Sequence, residues 1–413
     1  MAIRARRPSE RSLRALDALN FFLADVRDGL GPYLAIYLLA TRGPAHGWDE
    51  ATVGSVITIS GIAGLVAQTP AGALVDRITG RRQLIMIAAL VVTVSCICLP
   101  ATHGYVLVTA TQSAAAVAAT VFGPAIAAIS LGIVGPRRLT PRIGRNEAFN
   151  HAGNAISAGL AAVLAIKFGP VVVFWLMGAL TLLSIASAAR IDDADIDDNL
   201  ARGLSDARVD NRPVSTWSVL FKNRTLLAFA AVVFTFHLSN AAMLTSVSQL
   251  LVHLAGKDSA TSLTALCVLA AQVVMVPVAI AVGRTANSWG RKPIFLIGFA
   301  VLACRGVLYT VWDDSAWLVA VQTLDGIGAG IFGALFPVVI ADLMAGTGHF
   351  NIAQGALATV QGAGAALSAG LAGVLIVYTG YNVAFLTLSA IAVAGFILYL
   401  VAVPETKALA EAD

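Results

Sequence analysis

The chain has 413 residues, of which 58% are hydrophobic and only 12% charged, with a mean hydropathy of +0.82. That balance excludes a soluble protein of this size and marks an integral membrane protein. The net charge of +4 does not call for nucleic acid, because the basic residues flank apolar segments, and the four cysteines (Cys96, Cys98, Cys267, Cys304) lie inside apolar runs, supporting neither disulfides nor a metal site.

A spanning helix needs about 20 mostly apolar residues. Twelve such segments are predicted, at 15–40, 51–75, 83–101, 105–133, 146–166, 170–189, 226–253, 260–283, 293–312, 316–344, 353–377 and 382–403. The arginine-rich start runs into a segment too long and too polar for a signal h-region, so no cleavable leader is expected. That first segment carries three charges, Asp25, Arg27 and Asp28. Ionisable groups inside spanning helices are costly and become functional candidates by default. Asp25 and Asp28 stand about 60° apart on one helix face, while Arg27 stands roughly 200° from Asp25 and points elsewhere.

After the second segment comes Gly72-Ala73-Leu74-Val75-Asp76-Arg77-Ile78-Thr79-Gly80-Arg81-Arg82. Gly72 permits a close helix approach, and Asp76 can pair with Arg77 or Arg81 or face the N-terminus of another helix. Gln112 lies in the fourth segment. In the fifth, Glu147, Asn150, His151 and Asn154 fall at i, i+3, i+4 and i+7, one continuous polar stripe. Glu147 is expected to form a gate or structural pair with Arg145, and the other three to reach solute. The polar stretch 191–223 reads as a solvated linker, since its aspartates lack the Gly and Glu of a calcium loop. Its end, Trp217 to Lys222, fits along a membrane surface.

The seventh segment offers His237 and Asn240, again at i, i+3. The loop after the eighth, Gly283-Arg284-Thr285-Ala286-Asn287-Ser288-Trp289-Gly290-Arg291-Lys292, echoes the one after the second. Arg305, Gln322 and Asp325 follow inside the ninth and tenth segments; Arg305 and Asp325 can serve the site or neutralise one another as a buried pair. Asp342 is expected at a gate or helix-end contact, and Thr379-Gly380-Tyr381 as a tight turn.

With both termini inside, inner segments hold 22 of the 27 Lys and Arg residues and outer loops three, which predicts cytoplasmic termini. FGPAIAAISLGIV from Phe122 matches FGALFPVVIADLM from Phe332 at an offset of 210, and AFNHAGNAISAGLAAVL from Ala148 matches TVQGAGAALSAGLAGVL from Thr359 at 211. Near-constant offsets imply that the second half copies the first. The halves are expected at 1–190 and 224–413, joined by the loop 191–223.

The duplicated loops resemble the signature of the major facilitator superfamily, Gly-x-x-x-Asp/Asn-Arg/Lys-x-Gly-Arg/Lys-Arg/Lys. The first copy has one extra residue before Gly80, and the second has Ser288 at a basic position. The resemblance covers essentially the whole chain and implies an all-α integral membrane fold of twelve transmembrane helices in two pseudo-symmetric six-helix bundles. It implies that Gly72, Asp76, Arg77, Gly80, Arg81, Arg82, Gly283, Asn287, Gly290, Arg291 and Lys292 gate conformation. It also implies that helices 1, 4, 7 and 10 line a central cavity, so Asp25, Asp28, His237 and Asn240 are expected to face it. The candidate solute-binding set is Asp25, Arg27, Asp28, Gln112, Asn150, Asn154, His237, Asn240, Gln322 and Asp325. Asp25, Asp28, His151 and His237 are the candidate proton carriers. Drug exporters of the superfamily carry an arginine three residues before a Gln-Gly in helix 4, where this chain has Thr109 ahead of Gln112-Ser113. Its Gly123-Pro124 pair stands in helix 4, not helix 5.

The expected function is secondary active transport of a small organic solute by alternating access, proton-coupled, with export favoured on the family's habit alone. Uptake of an organic anion bound by Arg27 and Arg305 is the alternative, and a membrane sensor that binds solute without moving it is a reading of another class. No enzyme chemistry, cofactor, metal or nucleic acid is expected. The protein is read as a monomer in a bacterial-type inner membrane, with solute, protons and the bilayer as its partners.

Overall fold

A computed structural model describes residues 9–29, 33–42, 48–102, 104–168, 172–204 and 220–407. Among these the regular structure is helical throughout. The elements are α1 (Glu10–Asp28), α2 (Tyr33–Arg42), α3 (Glu50–Arg77), α4 (Arg81–Ile97), α5 (Tyr105–Ala119), α6 (Phe122–Val134), α7 (Pro136–Phe168), α8 (Val172–Ala189) and the short α9 (Asp198–Ala201). One helical run from Arg224 to Trp289 is broken at Gly256 into α10 (Arg224–Gly256) and α11 (Ser262–Trp289). Gly256 turns the corner at φ 78°, a conformation that costs a side-chain-bearing residue about 1–2 kcal/mol. Then follow α12 (Arg291–Leu308), α13 (Ser315–Leu343), α14 (Phe350–Thr379) and α15 (Tyr381–Ala402).

These elements make the twelve spans. Eight described stretches are long and apolar enough to cross a bilayer on their own, with α5 and α6 counted as one. The remaining four spans start from α1, α4, α7 and α12. Large apolar side chains lie bare on the outside, as with Val106 at 78% and Val401 at 80% exposure, because lipid is the solvent there.

Two boundaries differ from expectation. The first segment is two helices, α1 and α2, with Gly29 at φ 61° closing the first. The fourth is interrupted at Thr120 and Val121, because Pro124 lacks the N–H that would bond the Thr120 carbonyl. The predicted turn at Gly380 is present, ending α14 and opening α15.

Two cores form. One draws only on residues between Ala15 and Ala201; the other runs from Leu220 to Val403 and takes in Ala127, Leu131, Leu139 and Ile143 from α6 and α7. The halves therefore meet through those helices. The start of the linker is docked, not solvated as expected. Ile191 and Ala201 are fully buried, Asp198 pairs with Arg81, and Asp193 Oδ2 lies 2.5 Å from Arg82 Nη2. Residues 205–219, including Trp217 of the proposed surface segment, lie outside the described residues.

Candidate functional site

A cavity of about 810 Å³ lies between the halves. Asn20 and Arg27 of α1 line it, seven residues apart and so on one helix face. Thr58 and Gln68 of α3, Thr120 after α5, Asn146 and Glu147 of α7, His237 of α10, and Gln354 and Gln361 of α14 supply the other polar side chains. The exposed Arg27 guanidinium passes beside Gly123, its Nη2 3.8 Å from where a Cβ would sit, an ordinary contact distance. The second half contributes an aromatic wall. Phe332 and Phe336 of α13 line the cavity and stack at 5.3 Å, and the His237 ring meets Phe332 edge-on at 4.6 Å.

On α1 it is Arg27, expected to point elsewhere, and not Asp25 that looks into the cavity. Arg27 lines the cavity, and Asp25 is half-buried outside its lining. The side chain of Asp28 lies outside the described residues. His237 is where the sequence placed it. Of the α7 stripe only Glu147 reaches the cavity; Asn150, His151 and Asn154 are absent from its lining. His151 instead bridges the halves, its Nδ1 2.8 Å from Gln272 Oε1 on α11 and its Nε2 3.7 Å from Glu147 Oε2. Arg145 does not pair with Glu147, because residues two apart point away from each other around a helix. It holds Asp17 of α1 at 2.7 Å together with Arg142, whose Nε also donates to Asn146. Gln112 is buried, its Nε2 donating to the Ser95 carbonyl at 3.4 Å.

Asn240, Gln322 and Asp325 gather around Arg305 away from this lining. Arg305, 1% exposed, donates to Asp325, to Asn240 Oδ1 at 2.7 Å and toward Met243 Sδ at 3.3 Å. Gln322 accepts from the Tyr309 hydroxyl and donates to Asp325 Oδ2 at 3.2 Å. The network satisfies itself and ties α10, α12 and α13 together. Arg305 and Asp325 are thus a structural pair in this conformation.

The halves are sealed on the face where α1 begins and α15 ends. Asp76 caps the start of α14, accepting from the Asn351 and Ile352 backbone N–H groups at 3.3 and 2.8 Å and from Asn351 Nδ2 at 2.8 Å. It pairs with neither Arg77 nor Arg81. A negative group at a helix N-terminus is favoured by the partial positive charge there. Gly72 lets α3 lie against the Asn351 backbone, and Gly144 of α7 meets Gly283 of α11. Arg291 binds Asp342 at 3.0 Å within the second half and reaches Thr140 Oγ1 of the first at 3.4 Å. Asn287 accepts from Arg291 Nη1 at 3.1 Å, while Gly290 and Lys292 pack against Glu405, which takes the Arg291 and Lys292 N–H groups at 2.9 Å each. Gly80 opens α4 ahead of the linker-bound Arg81 and Arg82. Missed from sequence were Asn20, Gln68, Asn146, Gln354 and Gln361, uncharged residues that carry no signal to separate them from the other amides of the spanning helices.

Twelve spans in two copies around a closed-ended polar cavity define a secondary transporter that works by alternating access. The Major Facilitator Superfamily model matches residues 17–313 and 262–413, and the chain belongs to that family. It is 55% identical over 397 residues to an MFS-type transporter of Mycobacterium tuberculosis, covering 96% of this chain and 94% of that one. Its fold is similar to that of the human organic anion transporter MFSD10 (TM-score 0.73, 15% identity, 95% of this chain and 100% of that one). It is equally similar to the proton:xylose symporter XylE (TM-score 0.76, 12% identity, 96% of each chain).

Proposed function

We propose that this transporter carries a small organic anion with an apolar or aromatic body, together with a proton, into a bacterial cell across its inner membrane. The carrying observation is that Arg27 and Glu147 line one cavity opposite an aromatic wall. Arg27 holds the anionic group, Phe332 and Phe336 pack against the body, and Glu147 beside His151 takes the proton. An anion entering beside an ionised Glu147 meets like charge; protonation of Glu147 removes that repulsion, so proton and anion bind together. Coupling of this kind is reciprocal: bound anion raises proton affinity by the same factor. That favours symport, and with it uptake, over the export expected from the family's habit. The sealed face is the cytoplasmic one in this reading, so the conformation faces outward, and the halves are residues 1–190 and 224–413.

The test is a panel of aromatic monocarboxylates and their neutral amides in proteoliposomes, with and without an imposed pH gradient. Carboxylates accumulate down the gradient; Arg27→Ala weakens their binding by about 10- to 150-fold, the scale of a lost charged hydrogen bond. Glu147→Gln keeps exchange of solute for solute but no longer responds to the gradient. Neutral amides that bind as well as acids, and still bind to Arg27→Ala, refute the anion site.

A further inference from the structure

A second cavity, of about 720 Å³, opens between the halves on the sealed face. Its walls come from α3 of the first half and from α10 and α14 of the second, so one occupant touches both. Most of the wall is apolar, and it continues onto the lipid-facing surface: Val66, Phe221 and Leu227 are 68%, 64% and 42% exposed. The opposite end is basic. Arg77 ends α3, Arg202 follows α9, and His349 precedes α14; both arginines are exposed, and no ion pair engages either among the described residues. Asp76 also borders the cavity, but its oxygens are turned to Asn351 and Ile352 donors and form no ion pair with either arginine among the described residues.

Exposed guanidinium groups at the membrane surface above an apolar wall that opens sideways into the bilayer match the polarity of a phospholipid. A soluble anion would leave the wall unused. We propose that this groove binds an anionic glycerophospholipid, its phosphate on Arg77 and Arg202 and an acyl chain along Leu226, Leu227 and Ala230. Because the walls belong to both halves, the lipid has its full contacts only while this face is closed, and it shifts the population toward that state. The proposal does not depend on which solute the central cavity carries.

Native mass spectrometry of the full chain, released from nanodiscs of mixed phosphatidylglycerol and phosphatidylcholine, tests it. The parent retains one phosphatidylglycerol with a preference of about tenfold or more over phosphatidylcholine, the scale of two basic side chains at an anionic surface. Arg77→Gln with Arg202→Gln brings the preference close to one, and Arg202→Gln alone lowers it part of the way. Ala230→Trp fills the wall without touching the arginines and also expels the lipid; its central-cavity binding serves as the check on folding. Equal retention of the two lipids by the parent overturns the proposal. So does displacement by glycerol 3-phosphate, which has the headgroup chemistry without the chains. Absence of any retained lipid, with crosslinks from residues 205–219 into the groove, assigns the space to the chain's own linker and overturns it as well.

Discussion

Closing of the sealed face includes a backbone approach, at Gly144, that a single methyl group can oppose. A Cβ on Gly144 would lie 2.5 Å from the Ala279 carbonyl oxygen and 2.7 Å from the Gly283 Cα, both on α11 of the other half. These are backbone atoms, so no side chain can swing aside, and the helices must part. Overpacking of a close-fitting contact costs about 1–3 kcal/mol. The better helix propensity of alanine, about 1 kcal/mol over glycine, acts on α7 in every conformation and cancels from the equilibrium between them. Gly144→Ala should therefore shift that equilibrium about 5- to 150-fold away from the closed face. Spin labels at Arg137 and Ser288, exposed on α7 and α11, placed on a cysteine-free background, report it as growth of a longer distance in double electron–electron resonance. Gly159→Ala is the control on the same helix, because its Cβ would meet nothing within 4 Å. An unchanged distance distribution in Gly144→Ala, or an equal change in Gly159→Ala, refutes the reasoning.

The Arg305 network makes a stability prediction. Asp325→Asn leaves a guanidinium of 1% exposure without its counter-charge, at a cost of about 3–5 kcal/mol, read as a large fall in melting temperature in detergent. Arg305→Met with Asp325→Leu removes both charges and should melt closer to the parent; a single variant as stable as the double would show that the pair carries no structural role. The proposed pairing of Arg27 with an anion and of Glu147 with a proton makes a prediction about charge. A monovalent acid moves with one proton and no net charge, so a potassium diffusion potential should leave its initial rate unchanged while a pH gradient raises it. Acceleration by the potential alone would contradict that stoichiometry.

The bilayer made the architecture legible, because it demands apolar helices of one length and allows their number to be counted. Repeat offsets and the two glycine-bearing loops added the division into halves. Close approach at Gly72 was readable for the same reason, since a glycine in that position serves packing. The site was less legible. Asp25 and Arg27 fall on different faces of α1, but which face looks inward is a tertiary fact, and the cavity takes the one with Asn20 and Arg27. Glu147 and Arg145 are neighbours in sequence and not in space. Asn240, Gln322 and Asp325 are polar residues at membrane depth like any solute ligand. Only the arrival of Arg305 and Tyr309 from α12 shows that they bind each other.

That distinction separates what must move from what need not. Asp17 with Arg142 and Arg145 lies within the first half, and Asp342 with Arg291 within the second, so both clusters can ride unbroken through a rocking motion. The polar contacts that must break include the Asp76 cap on α14, the Thr69–Thr359 bond, the Arg291–Thr140 bond and the His151–Gln272 bond, and the glycine approaches must part with them. None is a buried ion pair between halves. Net hydrogen bonds are worth about 0.5–1.5 kcal/mol each, so no single polar contact locks the halves together. His151 stands at the junction of the two tasks, bonded to Gln272 across the interface and adjacent to Glu147 at the cavity wall. Under the proposed proton coupling, a change of charge at Glu147 would be felt at one of the bonds that opening has to break, a physical route from the cavity to the interface between the halves.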